Sequence, residues 1–114
     1  MKKIIYLDLA SSINKIRPAE RKIFFDILPS RNFQVYALLK GPVKQNEKEN
    51  IIQIDCSSNS GFEFYKKIYQ TANNLLSKHE INYIVVRNNV WLGLSVLLIK
   101  NIGNTKRIFI RAFP

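Results

Sequence analysis

The 114 residues carry 18 Lys and Arg against 8 Asp and Glu, a formal net charge of +10, and 46% of them are hydrophobic. That length and composition describe one folded domain able to bury a single core, and they exclude a disordered or repetitive chain. The single cysteine, Cys56, rules out an internal disulfide, and no His, Cys, Asp or Glu spacing forms a metal or nucleophile signature.

The chain opens on KIIYLDL, Lys3 to Leu9, a short run of β-formers that reads as a buried strand. It is too short, and too soon interrupted by Asp8, to be a signal peptide. ASSINKIRP follows as a polar loop containing Ser11 and Ser12. Pro18 suits the first turn of a helix. The periodicity then predicts a helical face of Ala19, Ile23, Phe24, Ile27 and Leu28, closed by Pro29. FQVYALLKG, Phe33 to Gly41, is a second strand ended by a Gly-Pro turn. PVKQNEKEN has no apolar period and reads as a loop, and IIQIDC is a third strand.

Ser60-Gly61-Phe62-Glu63 fits a capping box, with the serine and glutamate each able to satisfy a free first-turn amide. Behind it, Tyr65, Ile68, Tyr69, Ala72, Leu75 and Leu76 form an apolar stripe that faces the core. His79, between Lys78 and Glu80 at the end of this helix, reads as exposed. INYIVVRN is a fourth strand, apolar nearly without alternation, as a strand covered on both faces should be. NVWLGLSVLLIKNIG reads as a largely buried helix with Asn88 or Asn89 as N-cap and Gly103 as its stop. Its uncharged stretch, Asn88 to Ile99, is twelve residues, where a membrane-spanning helix needs about twenty. KRIFIRAF is a fifth strand.

The order β-α-β-β-α-β-α-β predicts an α/β domain of three layers. It is Rossmann-like, with a mostly parallel sheet of about five strands in the order 3-2-1-4-5 and helices on both faces. Ligands of such sheets bind beyond the carboxyl ends of the strands, near the switch point. The candidates there are Asp8, Ser11 and Ser12 after strand one, Arg87, Asn88 and Asn89 after strand four, and Arg111 after strand five. Ser60 and Gly61 are anion-binding candidates at a helix N-terminus. The first loop contains no glycine, so it is not a dinucleotide-binding turn, and no phosphate-binding P-loop is present; no cofactor is expected. Two readings of Arg87 stay open: an anion-binding side chain reaching the cleft, or a partner for Asp8 across neighbouring strand ends, with Asn89 as a helix cap.

The stretch Asn82-Tyr83-Ile84-Val85-Val86-Arg87-Asn88-Asn89, with Gly93-Leu94, Leu97, Lys100 and Ala112-Phe113-Pro114, resembles the N-terminal domain of GT-B glycosyltransferases of the retaining, group 1 (family 4) type. MKKIIYLDL is similar to that family's first strand, and together about a third of the chain carries the likeness. The chain departs from the family in its glycine-free first loop, in Asn82 and Asn89 where aspartates are common, and in RAFP where a histidine is frequent. The resemblance implies residues 1–114 as the acceptor-side half of a two-domain enzyme, inactive alone, with a donor-binding domain supplied in cis or in trans. It implies an acceptor that is lipid-linked or phosphorylated, with peripheral contact to anionic membrane that the basic surface would favour; the lack of a signal peptide or spanning stretch in the sequence predicts a cytoplasmic location. The charge leaves two alternatives open: a small basic module binding nucleic acid, or a flavodoxin-like interaction or regulatory domain.

Overall fold

The computed structural model describes residues 1–43, 46–48, 50–87, 90–99 and 103–110. Strands β1 (Lys2–Leu7), β2 (Phe33–Leu39), β4 (Ile51–Asp55), β5 (Tyr83–Arg87) and β6 (Lys106–Ile110) are parallel and lie in the order β4-β2-β1-β5-β6. This is the order 3-2-1-4-5 expected from the sequence, in an α/β Rossmann-like arrangement with helices on both faces. The stretch read as a loop contains one more element. β3 (Asn46–Lys48) pairs antiparallel with β4 at the sheet edge. Its polar residues need no apolar period, because only the backbone must pair. Asn50, with φ of 68°, takes the left-handed conformation that asparagine tolerates well at the turn back into β4.

Helix α1 covers one face and spans residues 18–30. Its ends, Pro18–Lys22 and Leu28–Ser30, are α-helical, and its centre, Ile23–Ile27, is a π turn. There the Leu28 N–H bonds to the Ile23 carbonyl, five residues back. Pro29 therefore does not stop the helix as expected, but sits buried inside its last turn. A proline ring crowds the carbonyl four residues earlier, and the wider π turn makes room for it. The same turn changes the helix's buried face. Phe24 is buried and Phe25 and Leu28 are half-buried, but Ala19, Ile23 and Ile27 are exposed, and Glu20 is buried in their place.

Helix α2 (Gly61–Lys78) and helix α3 (Val90–Leu97) cover the other face. The Ser60 hydroxyl accepts the Glu63 N–H at 3.2 Å, the N-cap that the sequence predicts. Ile68, Ala72 and Leu75 of the predicted stripe are buried, and Phe64, one position before Tyr65, is buried with them. Helix α3 ends at Leu97, short of the expected Gly103; Leu92, Gly93, Ser95 and Val96 are buried, while Leu94 and, just past its end, Leu98 are exposed. The helix cap expected at Asn88 or Asn89 lies outside the described residues.

Two clusters make the core, one on each face of the sheet. Ile5, Leu7, Tyr36, Leu38, Ile84 and Val86 point towards α2 and α3; Ile4, Tyr6, Val35, Ala37, Leu39 and Val85 point towards α1. β1, β2 and β5 are thus buried on both sides, which is why they read as unbroken apolar runs. Cys56 is fully buried just after β4, and burial pushes its thiol up to about 11. Among the described residues, no helix is long and apolar enough to cross a membrane.

Candidate functional site at the carboxyl ends of β1 and β5

β1 leads through α1 to β2 on one side of the sheet, and β5 leads through α3 to β6 on the other. The carboxyl ends of β1 and β5 therefore flank the switch point, the place where ligands of such sheets bind. Asp8 follows β1, and Arg87 is the last residue of β5. Helix α1 starts at this same end, so its first turn, with Glu20, lies over both.

Asp8 is 4% exposed and has both carboxylate oxygens engaged. Oδ2 accepts the Tyr6 hydroxyl at 2.9 Å, and Oδ1 accepts the Ala10 N–H at 3.0 Å. The second contact is a turn of aspartate on its own backbone, which starts the loop towards Ser11 and Ser12. Burial, then the charge of Asp8 and its hydrogen bond, raise the Tyr6 hydroxyl far above the ordinary tyrosine range, so it remains a proton donor to the carboxylate.

Arg87 pairs with Glu20: Nε and Oε1 are 3.7 Å apart, and both side chains are largely buried. The alternative partner weighed for Arg87, Asp8, forms no ion pair with it among the described residues. The separation is too long for a hydrogen bond. Accordingly, Arg87 Nε and Glu20 Oε2 are buried without a hydrogen-bond partner among the described residues. A carboxylate and a guanidinium thus stand side by side with donor and acceptor capacity unused.

The other candidates fall into three groups. Ser11 is exposed and Ser12 half-buried in the loop beside Asp8, where Ser12 precedes a short 3₁₀ turn, Ile13–Lys15, without capping it through its side chain. Ser60 and Gly61 lie at the start of α2, where the Ser60 hydroxyl itself satisfies one of the free amides. Asn88, Asn89 and Arg111 lie outside the described residues. At the end of β4, Asp55 accepts the Ser57 N–H at 2.8 Å. Burial raises its carboxyl pKa, but the Ser57 hydrogen bonds, Lys67 and the Val43 amide outweigh that and hold it below the ordinary value. Gly41, with φ of 65°, passes so close to the Asp55 carboxylate that a side chain there would collide with it.

Glu20 and Tyr6 were not among the sequence candidates. A glutamate in a basic helical segment reads as a solvated position, and a tyrosine in an apolar strand reads as core. The topology offered one signal for Glu20: in a β-α unit the first helical turn sits above the carboxyl end of the preceding strand.

Among the described residues no group of three or more His, Cys, Asp or Glu could hold a metal ion. Compared with protein-family models, with curated proteins and with solved structures, the chain matches none of them. The sheet order and its flanking helices define an α/β Rossmann-like domain, and the reading of its function rests on the residues themselves.

Proposed function

We propose that this domain is the acceptor-side half of a GT-B glycosyltransferase and holds the acceptor in the crevice at the carboxyl ends of β1 and β5. The observation that supports this reading best is the unused hydrogen-bonding capacity of Glu20 and Arg87 at the switch point of the sheet. Buried polar groups are normally satisfied, so an unfilled carboxylate oxygen beside an unfilled guanidinium N–H calls for a ligand or ordered water. A sugar meets both requirements: its hydroxyls donate to Glu20 and accept from Arg87. A phosphate on the acceptor would be drawn to Arg87. The Asp8–Tyr6 contact keeps the end of β1 and the following loop in place beside them. Transfer requires a donor-binding domain, in cis or in trans, that closes over the crevice with the nucleotide sugar. The net charge of +10 favours docking against an anionic membrane that carries a lipid-linked acceptor.

The test is a titration of isotopically labelled protein with N-acetylglucosamine, glucose 1-phosphate and a short-chain polyprenyl phosphate, followed by NMR. Saturable shifts centred on Asp8, Glu20 and Arg87, lost in Glu20→Ala, are the expected result. Silence from these residues, together with oligonucleotide binding that weakens steeply with salt, would replace this reading with nucleic-acid binding.

A further inference from the structure

At the opposite end of the sheet lies a groove of about 710 Å³, a volume in the range of small-molecule sites. Its floor is Tyr36 of β2 with Ile52 and Ile54 of β4. Its wall is the inner edge of α2, where Thr71, Asn74 and Leu75 face it. Helix α2 stops short of covering β4, which leaves Ile52 and Ile54 half-buried although they pack against the core.

The end of this groove is cationic. Lys3 of β1, Lys78 in the last turn of α2 and His79 directly after it converge there. Lys3 Nζ, a donor only, contacts His79 Nδ1 at 3.2 Å, so the neutral imidazole carries its proton on Nε2. The His79 ring lies against Tyr36, with centroids 5.5 Å apart. Neither lysine forms an ion pair among the described residues. The next residue, Glu80, is exposed. Burial, then Lys3 and Lys78, hold the His79 pKa below its ordinary value. Three basic side chains therefore meet at an aromatic and aliphatic floor, with no acidic partner among the described residues.

We propose that this groove is a second binding site, distinct from the crevice at the carboxyl ends, for a small organic anion with a flat apolar body. Lys3, Lys78 and His79 hold the anionic head, and Tyr36, Ile52 and Ile54 take the body. Charge complementarity selects the head: an anion there relieves the mutual repulsion of the cations. The half-covered floor selects the body, because contact with it removes apolar surface from water. Gln34, which accepts the Tyr36 hydroxyl at 3.3 Å, and Asn74 offer polar contacts at the rim.

The experiment is an NMR titration of the whole chain with benzoate, phenyl phosphate, inorganic phosphate and benzyl alcohol. The two aromatic anions distinguish a carboxylate head from a phosphate head. The expected result is saturable binding of at least one of them at about 1 mM or tighter. It shifts Tyr36, Ile52 and Ile54 together with Lys3 and Lys78, and it moves the His79 pKa upward. Benzyl alcohol should bind more weakly, and Lys78→Gln should weaken the anion about fivefold or more. Lys78 is exposed, so the variant should fold, and an unchanged circular dichroism spectrum checks that it does. Lys3→Gln provides a second reading of the same charge. The proposal is overturned if neither aromatic anion saturates, if benzyl alcohol binds equally well, or if inorganic phosphate alone reproduces every shift. It stands or falls independently of the sugar titration, because the reporting residues occupy the other end of the sheet.

Discussion

The two ends of the sheet handle charge in opposite ways. At the carboxyl ends, Asp8, Glu20 and Arg87 are of mixed sign and largely buried, and Asp8 and Tyr6 lock each other in place. At the amino ends, Lys3 and Lys78 are of one sign and lie, with the neutral His79, along an open groove. A buried charge loses its hydration and must be repaid by neighbours of opposite sign or by hydrogen bonds. A partly solvated cation keeps its water and can wait for an anion. The first arrangement holds the fold together; the second leaves the fold almost indifferent and the surface available.

This contrast predicts where substitutions will hurt. The largest effect should come from Glu20→Ala, which leaves Arg87 largely buried without its carboxylate. We expect a loss of about 2–3 kcal/mol, read from urea unfolding. An unchanged midpoint would show that the pair contributes nothing and would collapse the contrast. Tyr6→Phe should come next, at about 1–2 kcal/mol, because Asp8 Oδ2 keeps its burial but loses the hydroxyl donor. Ser60→Ala, which removes an exposed cap remote from both charge groups, should cost about 1 kcal/mol.

At the amino ends a substitution should barely touch stability. Lys78→Gln should leave stability unchanged within about 0.5 kcal/mol and raise the His79 pKa, followed by the imidazole proton resonance. For the wild type, a folded pKa below the unfolded value means that the unfolded chain binds the extra proton first. Stability should therefore fall as pH drops through about 6.5 towards the folded pKa, and Lys78→Gln should flatten that fall. The smallest effect concerns Cys56. Its buried thiol, pushed up to about 11, should ignore a disulfide reagent at pH 7 in the native protein and react once urea unfolds it.

How much was legible beforehand depended on the kind of signal each element carries. β1, β2 and β5 announce themselves because strands buried on both faces must be apolar throughout. Ser60 announces α2 because a first-turn amide needs an acceptor and serine supplies one. β3 carries no such mark: three residues paired through their backbone place no demand on side chains. The inward face of α1 differs from the periodic one because a fixed helical period places Ile23 and Ile27 with Phe24, and one π turn breaks that period. His79, between two charged neighbours, reads as exposed in the sequence, yet it is half-buried against Tyr36 and bonded to Lys3, a residue 76 positions earlier in the chain.

Sequence alone settles what local chemistry and repetition can specify: one α/β domain, the strand order through the right-handed crossover rule, the cap of α2, and a surplus of positive charge. It also places Asp8 and Arg87 at adjacent strand ends. Tertiary structure decides which charge meets which. Glu20 reaches Arg87 because α1 starts above the end of β5, and Lys3 reaches His79 because α2 ends beside the start of β1. Those pairings join residues 67 and 76 positions apart, as 87 less 20 and 79 less 3 show. No local period encodes such distances. They follow from how helices and strands pack once the core has closed.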